Sequence, residues 1–313
     1  MNWFTSFEKD LEGAFADAES ILSSLPTRFR GQAADYLDKF HALKENRSKN
    51  YICYLLPYWL KEAAGTELKD IHQFTVANLL GMMYYHLIDE LMDEPDQKSK
   101  YQLPLADLVR FEFTQMYSNY FVAASPFWTY YRKYTAEWAD AVTRENECDF
   151  FQENPVLVAH KASPVKLCIA GSLLLTGREN LISTFENAVD KVLITLQMLD
   201  DWEDWEKDLK DGSYNCLIST IQKELQLPNG VRPTSEEITK ALYVQDVLSR
   251  YAELANGNHN SLANIASMIP HLYHFHEYLR QNLQQGAGQL RHERELLMQG
   301  GLEYWLSKNM IRS

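Results

Sequence analysis

Cysteine is scarce in this sequence, and no two cysteines have the spacing of a structural metal site. The 313 residues include four, Cys53, Cys148, Cys168 and Cys216, which lie far apart and form no C-x-x-C pair. Zinc sites and small disulfide-rich folds are recognised by closely grouped cysteines. Neither is therefore indicated, and the cysteine content fits the reducing cytoplasm, where we expect the protein to be located.

Positive charge and long apolar runs are also scarce. The 30 lysines and arginines stand against 43 aspartates and glutamates, a net charge of -13. No basic stripe is available to neutralise the phosphates of a nucleic acid. The longest apolar runs fall short of the roughly 20 residues that cross a bilayer, and the opening MNWFTSFEKDLEGAF does not resemble a signal peptide. We expect no nucleic-acid partner and no integral membrane segment.

The alternation of Val, Ile and Thr that is typical of strands is missing, and nearly every segment has helical spacing. The sequence therefore predicts an all-α fold. None of the linkers is long enough to divide the chain, so we expect residues 1–313 to form one domain, a single large helical bundle. The predicted helices cover residues 4–24, 30–46, 50–64, 73–94, 104–122, 126–147, 156–176, 180–211, 213–226, 234–256, 260–284 and 287–309.

An apolar stretch followed by a dense run of acids fills residues 180–212. At about 100° per residue, Asp201, Asp204 and Asp208 lie about 100°, 40° and 80° from Asp200, with Gln197 at about 60°. Such a cluster repels itself, so it persists when it is solvated, paired with cations or bound to metal. Oxygen ligands alone favour a hard ion such as Mg²⁺, although one acidic run is as readily explained as a solvated helix end.

The segment of residues 73–94 repeats this design. Glu90 and Asp93 lie about 100° and 40° from Asp89 on a helical projection. Carboxylates at a helix C-terminus oppose the macrodipole, which metal binding would relieve. Two such helices facing each other would form an apolar cavity with a carboxylate-lined mouth.

The two acidic clusters together resemble a known family. D-E-x-x-D at Asp89 to Asp93, followed by Q-x-x-D-D-x-x-D from Gln197 to Asp204, resembles the paired aspartate-rich motifs of class I isoprenoid synthases. That superfamily includes terpene cyclases, trans-prenyltransferases, and squalene and phytoene synthases. Residues 160–177 resemble the helix before the second motif, and the whole resemblance covers about residues 70–215. Glu90 departs from the pattern, because the family usually carries aspartate there.

The resemblance implies an all-α isoprenoid synthase that uses Mg²⁺ to hold and ionise an allylic prenyl diphosphate. The implied metal ligands are Asp89, Glu90, Asp93, Asp200, Asp201, Asp204 and Asp208. The implied catalytic residues are Asp89, Asp93, Asp200 and Asp204. Lys161 matches a diphosphate-contacting lysine, and Gln197 is the second substrate-binding candidate. Tyr214 and Asn215 could fold back on the diphosphate, or they could begin the next helix with Ser213 as its N-cap.

The sequence favours one diphosphate site over two. Chain-elongating relatives resemble one another in a basic G-G-K-x-x-R and in an arginine pair after the first motif, and this chain has neither. We therefore expect a terpene synthase that cyclises the carbocation to a hydrocarbon or alcohol. A trans-prenyltransferase stays an alternative, and D-x-x-x-G at residues 208–212 keeps a head-to-head condensing enzyme open. The oligomeric state is open as well, a homodimer included.

Aromatic residues concentrate in residues 111–134, FEFTQMYSNYFVAASPFWTYYRKY. They could line a cavity and stabilise a cation, or they could simply be core, as we expect for single residues such as Tyr117 or Phe121.

Two rival classes of protein remain. A di-iron bundle needs paired Glu-x-x-His motifs, and none is present, whereas a non-enzymatic helical scaffold would carry the same acids as solvated patches.

Overall fold

The computed structural model describes the backbone of residues 2–93, 99–145, 147–228 and 230–310, without the side chains at 93, 99, 299 and 302–310. Every regular element in these residues is a helix, which confirms the all-α prediction. The chain divides into two compact units. The first comprises Met1–Trp138, Ala162–Val189 and Ile265–Leu272, and the second comprises Ala139–Lys161, Asp190–Asn264 and Tyr273–Ser313. The expected single domain stays a prediction.

Fifteen α-helices occur in the described residues, together with short 3-10 segments at Ser163–Lys166 and Glu179–Leu181. The α-helices are α1 (Asn2–Thr5), α2 (Glu8–Ser23), α3 (Thr27–Asp38), α4 (Tyr51–Ala64), α5 (Leu68–Asp93), α6 (Ser99–Ser118), α7 (Phe127–Arg144), α8 (Phe150–Glu153), α9 (Val156–His160), α10 (Leu167–Leu175), α11 (Ile182–Asp211), α12 (Cys216–Glu224), α13 (Ser235–Tyr243), α14 (Val247–Ser261) and α15 (Pro270–Met310). A non-helical residue, Gly300, kinks α15. No helix of the described chain is both long and apolar enough to cross a membrane.

The first unit is built around α5, which packs against α2, α4, α6 and α10. Contact on several sides explains why α5 is apolar around much of its circumference. A glycine permits the approach of α6: a Cβ atom built at Gly81 would lie 2.9 Å from Cε2 of Phe113 on α6. The pair of helices can therefore pack closely only because residue 81 has no side chain.

The aromatic segment of residues 111–134 forms part of the core of the first unit. Tyr117 is fully buried and stacks on Phe74 and Phe127, with ring centroids 5.5 and 4.7 Å apart. Phe121 stacks on Phe127 at 4.3 Å. Tyr117 and Phe121 are thus packed as core residues, as the sequence analysis expected for each of them.

The second unit is organised around α12, which contacts α8, α13 and α14. Its apolar interior draws on several elements, because Ile194 and Met198 of α11 are buried along with Ile221 of α12 and Tyr251 of α14. The acidic end of α11 lies in this unit, together with the residues that are described in the next subsection as its contacts.

Several predicted helix boundaries were wrong. The helix predicted over 30–46 ends at Asp38, and the one predicted over 156–176 is interrupted by the 3-10 segment at Ser163–Lys166, where Pro164 lacks the N–H of a helical residue. The helix predicted over 234–256 is divided before Asp246, which has a left-handed φ of 57°. Two positions predicted to interrupt helices do not do so: α14 continues through Gly257, and α15 continues through residues 284–287. A glycine inside a helix costs only about 1 kcal/mol.

Candidate functional site

The acidic end of α11 brings three carboxylates into mutual influence. Asp200 lies at the surface of the second unit, but surrounding atoms partly shield its carboxyl group from water. This desolvation raises the pKa of Asp200, and the negative charges of Asp204 and Asp208 raise it further. The three side chains therefore occupy one face, as the helical projection predicts, and their repulsion is not fully compensated.

Lys161 lies beside this acidic face, in the turn that follows α9. Its positive charge opposes the rise in the pKa of Asp200 and acts on Asp201 in the same direction. Its ammonium group donates a hydrogen bond to Glu145, and its side chain is partly exposed. The structure thus brings Lys161 to the second acidic cluster, where the resemblance places a diphosphate-contacting lysine.

Asp201 faces the protein interior instead. Only 2% of its surface is exposed, and burial raises its pKa to about 6. Its Oδ2 accepts a hydrogen bond from the Cys216 backbone N–H at 2.5 Å, and its Oδ1 accepts one from Nε2 of Gln197 at 2.6 Å. Both carboxylate oxygens are therefore engaged, one within α11 and the other with the N-terminus of α12, and the ligand role of Asp201 and the substrate contact of Gln197 stay predictions.

Asn215 connects the same two helices. Its Nδ2 donates to Oδ2 of Asp208 and to the carbonyl oxygen of Asp201, both at 2.8 Å. Its Oδ1 accepts from the backbone N–H groups of Leu217 and Ile218, so Asn215 is the N-cap of α12. The alternative in which Ser213 caps this helix was wrong, because the chain stays non-helical until Cys216.

Tyr214 contacts Asp149, a residue that the sequence did not single out. The Tyr214 hydroxyl donates to Oδ1 of Asp149 at 2.7 Å and accepts from the Phe151 N–H at 2.8 Å. Ser219 donates to the same carboxylate, which also caps α8. An aspartate before FFQE signals an N-cap, but nothing local predicts its distant partners. Tyr214 is held by these contacts, and its role toward a substrate stays a prediction.

The first acidic cluster lies at the end of α5, in the first unit. Glu90 is already paired: its Oε1 lies 3.3 Å from Nζ of Lys39, and its Oε2 accepts from Nε2 of Gln102 at 3.1 Å. Burial, and then the charge of Glu90, raises the pKa of the Tyr36 hydroxyl. Asp89 is exposed, and the side chain of Asp93 lies outside the described residues. The expectation that this cluster faces the acids of α11 stays a prediction.

A buried charge network in the first unit has no signal in the sequence. The Lys166 side chain is only 1% exposed, and its Nζ lies 3.1 Å from Oε2 of Glu137. Nearby, Lys133 donates to Glu186 at 2.8 Å and Tyr134 donates to the same carboxylate. Buried charges are stable only when paired, but these partners lie 29 to 53 residues apart in sequence, so no local pattern reveals them.

The acidic face of α11 fits Mg²⁺ by the chemistry of its donors. Within the described residues, no group of three or more His, Cys, Asp or Glu side chains converges as a metal site. Mg²⁺ in proteins usually needs only one or two carboxylates, because waters and substrate phosphates complete its coordination. Asp200 and Asp204, exposed and mutually repelling, meet that requirement.

Comparison with known proteins adds no relative. Neither the protein-family models, nor the curated proteins, nor the solved structures give a match to this chain.

Proposed function

We propose that this protein is a Mg²⁺-dependent class I terpene synthase that ionises a linear allylic prenyl diphosphate and cyclises the resulting carbocation. The observation that carries the proposal is the acidic face of α11, where Asp200, Asp204 and Asp208 repel one another beside Lys161. Uncompensated carboxylates at a surface next to a cation suit a metal-bridged anionic ligand. The paired motifs at Asp89 and Asp200 support the same class of enzyme.

In this proposal Asp200 and Asp204 would hold Mg²⁺ at the second cluster, and Asp89 and Asp93 would hold it at the first. Bound Mg²⁺ would supply positive charge that stabilises the diphosphate as it departs. The glutamate at position 90 is a weaker candidate, because Lys39 and Gln102 already occupy its two oxygens. The aspartates therefore form the essential set.

Lys161 would neutralise the departing diphosphate. A lysine placed where charge develops on oxygen stabilises the transition state more than the ground state. The hydrogen bond from Lys161 to Glu145 would orient the ammonium group until substrate arrives. The Lys161 side chain is partly exposed, so exchanging Glu145 for a phosphate oxygen would not leave a fully buried charge without a partner.

Asp201, Gln197 and Asn215 would act as positioning residues. Asp201 accepts from Gln197 and from the N-terminus of α12, while Asn215 donates to Asp208. These hydrogen bonds fix the rotation of α11 and the side chain of Asp208, and a rigid supporting shell keeps metal ligands in productive geometry. Loss of these hydrogen bonds should displace the acidic side chains of α11 without removing any of them.

Product analysis tests the proposal. The purified protein would be incubated with Mg²⁺ and geranyl, farnesyl, geranylgeranyl or geranylfarnesyl diphosphate, each with and without isopentenyl diphosphate, and extracts would be read by mass spectrometry. We expect a hydrocarbon or alcohol from one diphosphate alone. Longer diphosphates formed only with isopentenyl diphosphate would identify a prenyltransferase, and a coupled product of two chains would identify a condensing enzyme. No product with any of them would contradict the proposal.

A further inference from the structure

A cavity of about 470 Å³ lies within the second unit, on the side of α11 away from the acidic face. From α11 it is lined by Lys191, Ile194 and Met198. These residues lie about 180°, 120° and 160° around the helix from Asp200. The volume falls within the range of about 300–1,000 Å³ that is typical of small-molecule sites. The cavity is therefore separate from the proposed diphosphate site.

One wall of the cavity is apolar. Ile194, Met198 and Phe151 present side chains that are at most 6% exposed. Leu254 of α14 also lines it, and this large apolar side chain is 49% exposed. Burying it under an apolar ligand chain would be favourable, because the contact removes apolar surface from water.

The charged residues around the cavity are mostly cations. Lys191, Lys223 and Arg250 line it with a single carboxylate, Glu224. Glu224 pairs with Arg250 through two hydrogen bonds and so neutralises it. Among the residues that the structure describes, Lys223 donates only to the uncharged amide oxygen of Gln152, at 2.8 Å.

The ammonium group of Lys191 forms no hydrogen bond or ion pair with any residue that the structure describes. Two lysine charges therefore remain uncompensated at this cavity, in a chain whose net charge is -13. In so acidic a protein, a local excess of positive charge beside an apolar wall selects for an anion with an apolar part.

Tyr251 of α14 also lines the cavity and is completely buried, so it adds an aromatic side chain to the wall.

We propose that this cavity binds an amphipathic anion, a molecule with one linear apolar chain and a carboxylate or phosphate head group. The chain lies along Ile194, Met198 and Leu254, and the head group lies at Lys191 and Lys223. This site goes beyond the proposed synthase activity and does not depend on it.

Isothermal titration calorimetry of the full chain tests this site with three ligands of one chain length: decanoate, decyl phosphate and decyltrimethylammonium, each below its micellar concentration. We expect one anion site per chain and no binding of the cation, and the tighter of the two anions identifies the head group. Lys191→Glu should weaken anion binding at least tenfold. Lys240→Glu, the same charge change on exposed α13 away from the cavity, should leave it within twofold.

Two further variants test the apolar wall and the separation of the cavity from the acidic face. Leu254→Glu replaces a half-exposed side chain of the apolar wall and should also weaken binding at least tenfold, with a circular dichroism melt that shows a folded protein. Asp200→Asn should not change decanoate binding, because Asp200 lies on the other side of α11. Equal binding of the cation, an equal loss in the Lys191 and Lys240 variants, or no binding of either anion would overturn the proposal.

Discussion

Two adjacent aspartates of α11 have opposite surroundings, although the sequence presents them as one motif. Asp200 is exposed and repelled by Asp204 and Asp208, whereas Asp201 is buried and accepts from Gln197 and from the backbone of Cys216. A neutral side chain at residue 200 relieves repulsion. The same change at residue 201 leaves buried donors without partners.

We therefore expect Asp201→Ala to lower the free energy of unfolding by about 1–3 kcal/mol, and Asp200→Ala to leave the metal-free protein at least as stable as the wild type. Urea denaturation of both variants in EDTA measures the difference. Equal destabilisation by the two substitutions would show that Asp201 has no special structural role.

For single residues, the sequence predicted the position of a side chain around its helix better than it predicted the residues which that side chain contacts. The projection correctly placed Asp200, Asp204 and Asp208 on one face, because helical geometry is local. It could not show that Asp201 turns toward Cys216 or that Asp149 receives Tyr214 and Ser219, since these contacts join residues 15 to 70 positions apart.

At the scale of helices, the close contact between α5 and α6 depends on one glycine. A Cβ atom at residue 81 would lie 2.9 Å from the Phe113 ring, and both residues are buried. Gly81→Ala should therefore lower the free energy of unfolding by about 1–3 kcal/mol through overpacking. Thermal and urea denaturation would measure the change.

Gly31, in the exposed part of α3, is the matched control. Nothing lies within 4 Å of a Cβ atom built there, so Gly31→Ala should raise the free energy of unfolding by about 0.5–1 kcal/mol through helix propensity alone. A stabilising effect of both substitutions would show that α5 and α6 can separate without cost.

Helix positions were predictable from sequence where periodicity and capping agreed, and not where tertiary packing decided the outcome. The end of α4 at Gly65 and the end of α11 before Gly212 follow from glycines with positive φ. Gly257 has the same identity but lies inside α14, where burial of Ala255 and His259 outweighs its poor helix propensity. A glycine alone therefore does not distinguish a helix end from a helix interior.

The dependence of overall stability on pH should reflect a buried histidine pair in the second unit. His276 is completely buried, with Nδ1 3.0 Å from Nδ1 of His259 and Nε2 2.8 Å from the Thr195 hydroxyl. Burial, and then the charges of His259 and Arg280, lower the pKa of His276 to about 3. The unfolded chain therefore binds more protons than the folded chain between about pH 6.5 and pH 3.

Stability should consequently fall as the pH is lowered through this window. His276 alone accounts for a loss of about 2 kcal/mol between pH 7.5 and pH 5.0. His276→Gln should make the decrease shallower by that amount in urea denaturation at the two pH values. His274→Gln, an exposed histidine on the same helix, should keep the wild-type dependence, and an unchanged slope in the His276 variant would refute this account.

The role of the α11 acids in diphosphate ionisation can be measured as Mg²⁺-dependent release of inorganic diphosphate from an allylic prenyl diphosphate. The wild type is compared with Asp200→Asn and with Glu206→Gln, an exposed acid of α11 away from the acidic face. We predict release by the wild type and by the Glu206 variant, none of it in EDTA, and a loss of about 100-fold or more in Asp200→Asn. Equal release by all three proteins, or none by the wild type, would contradict the assignment of the α11 acids to diphosphate ionisation.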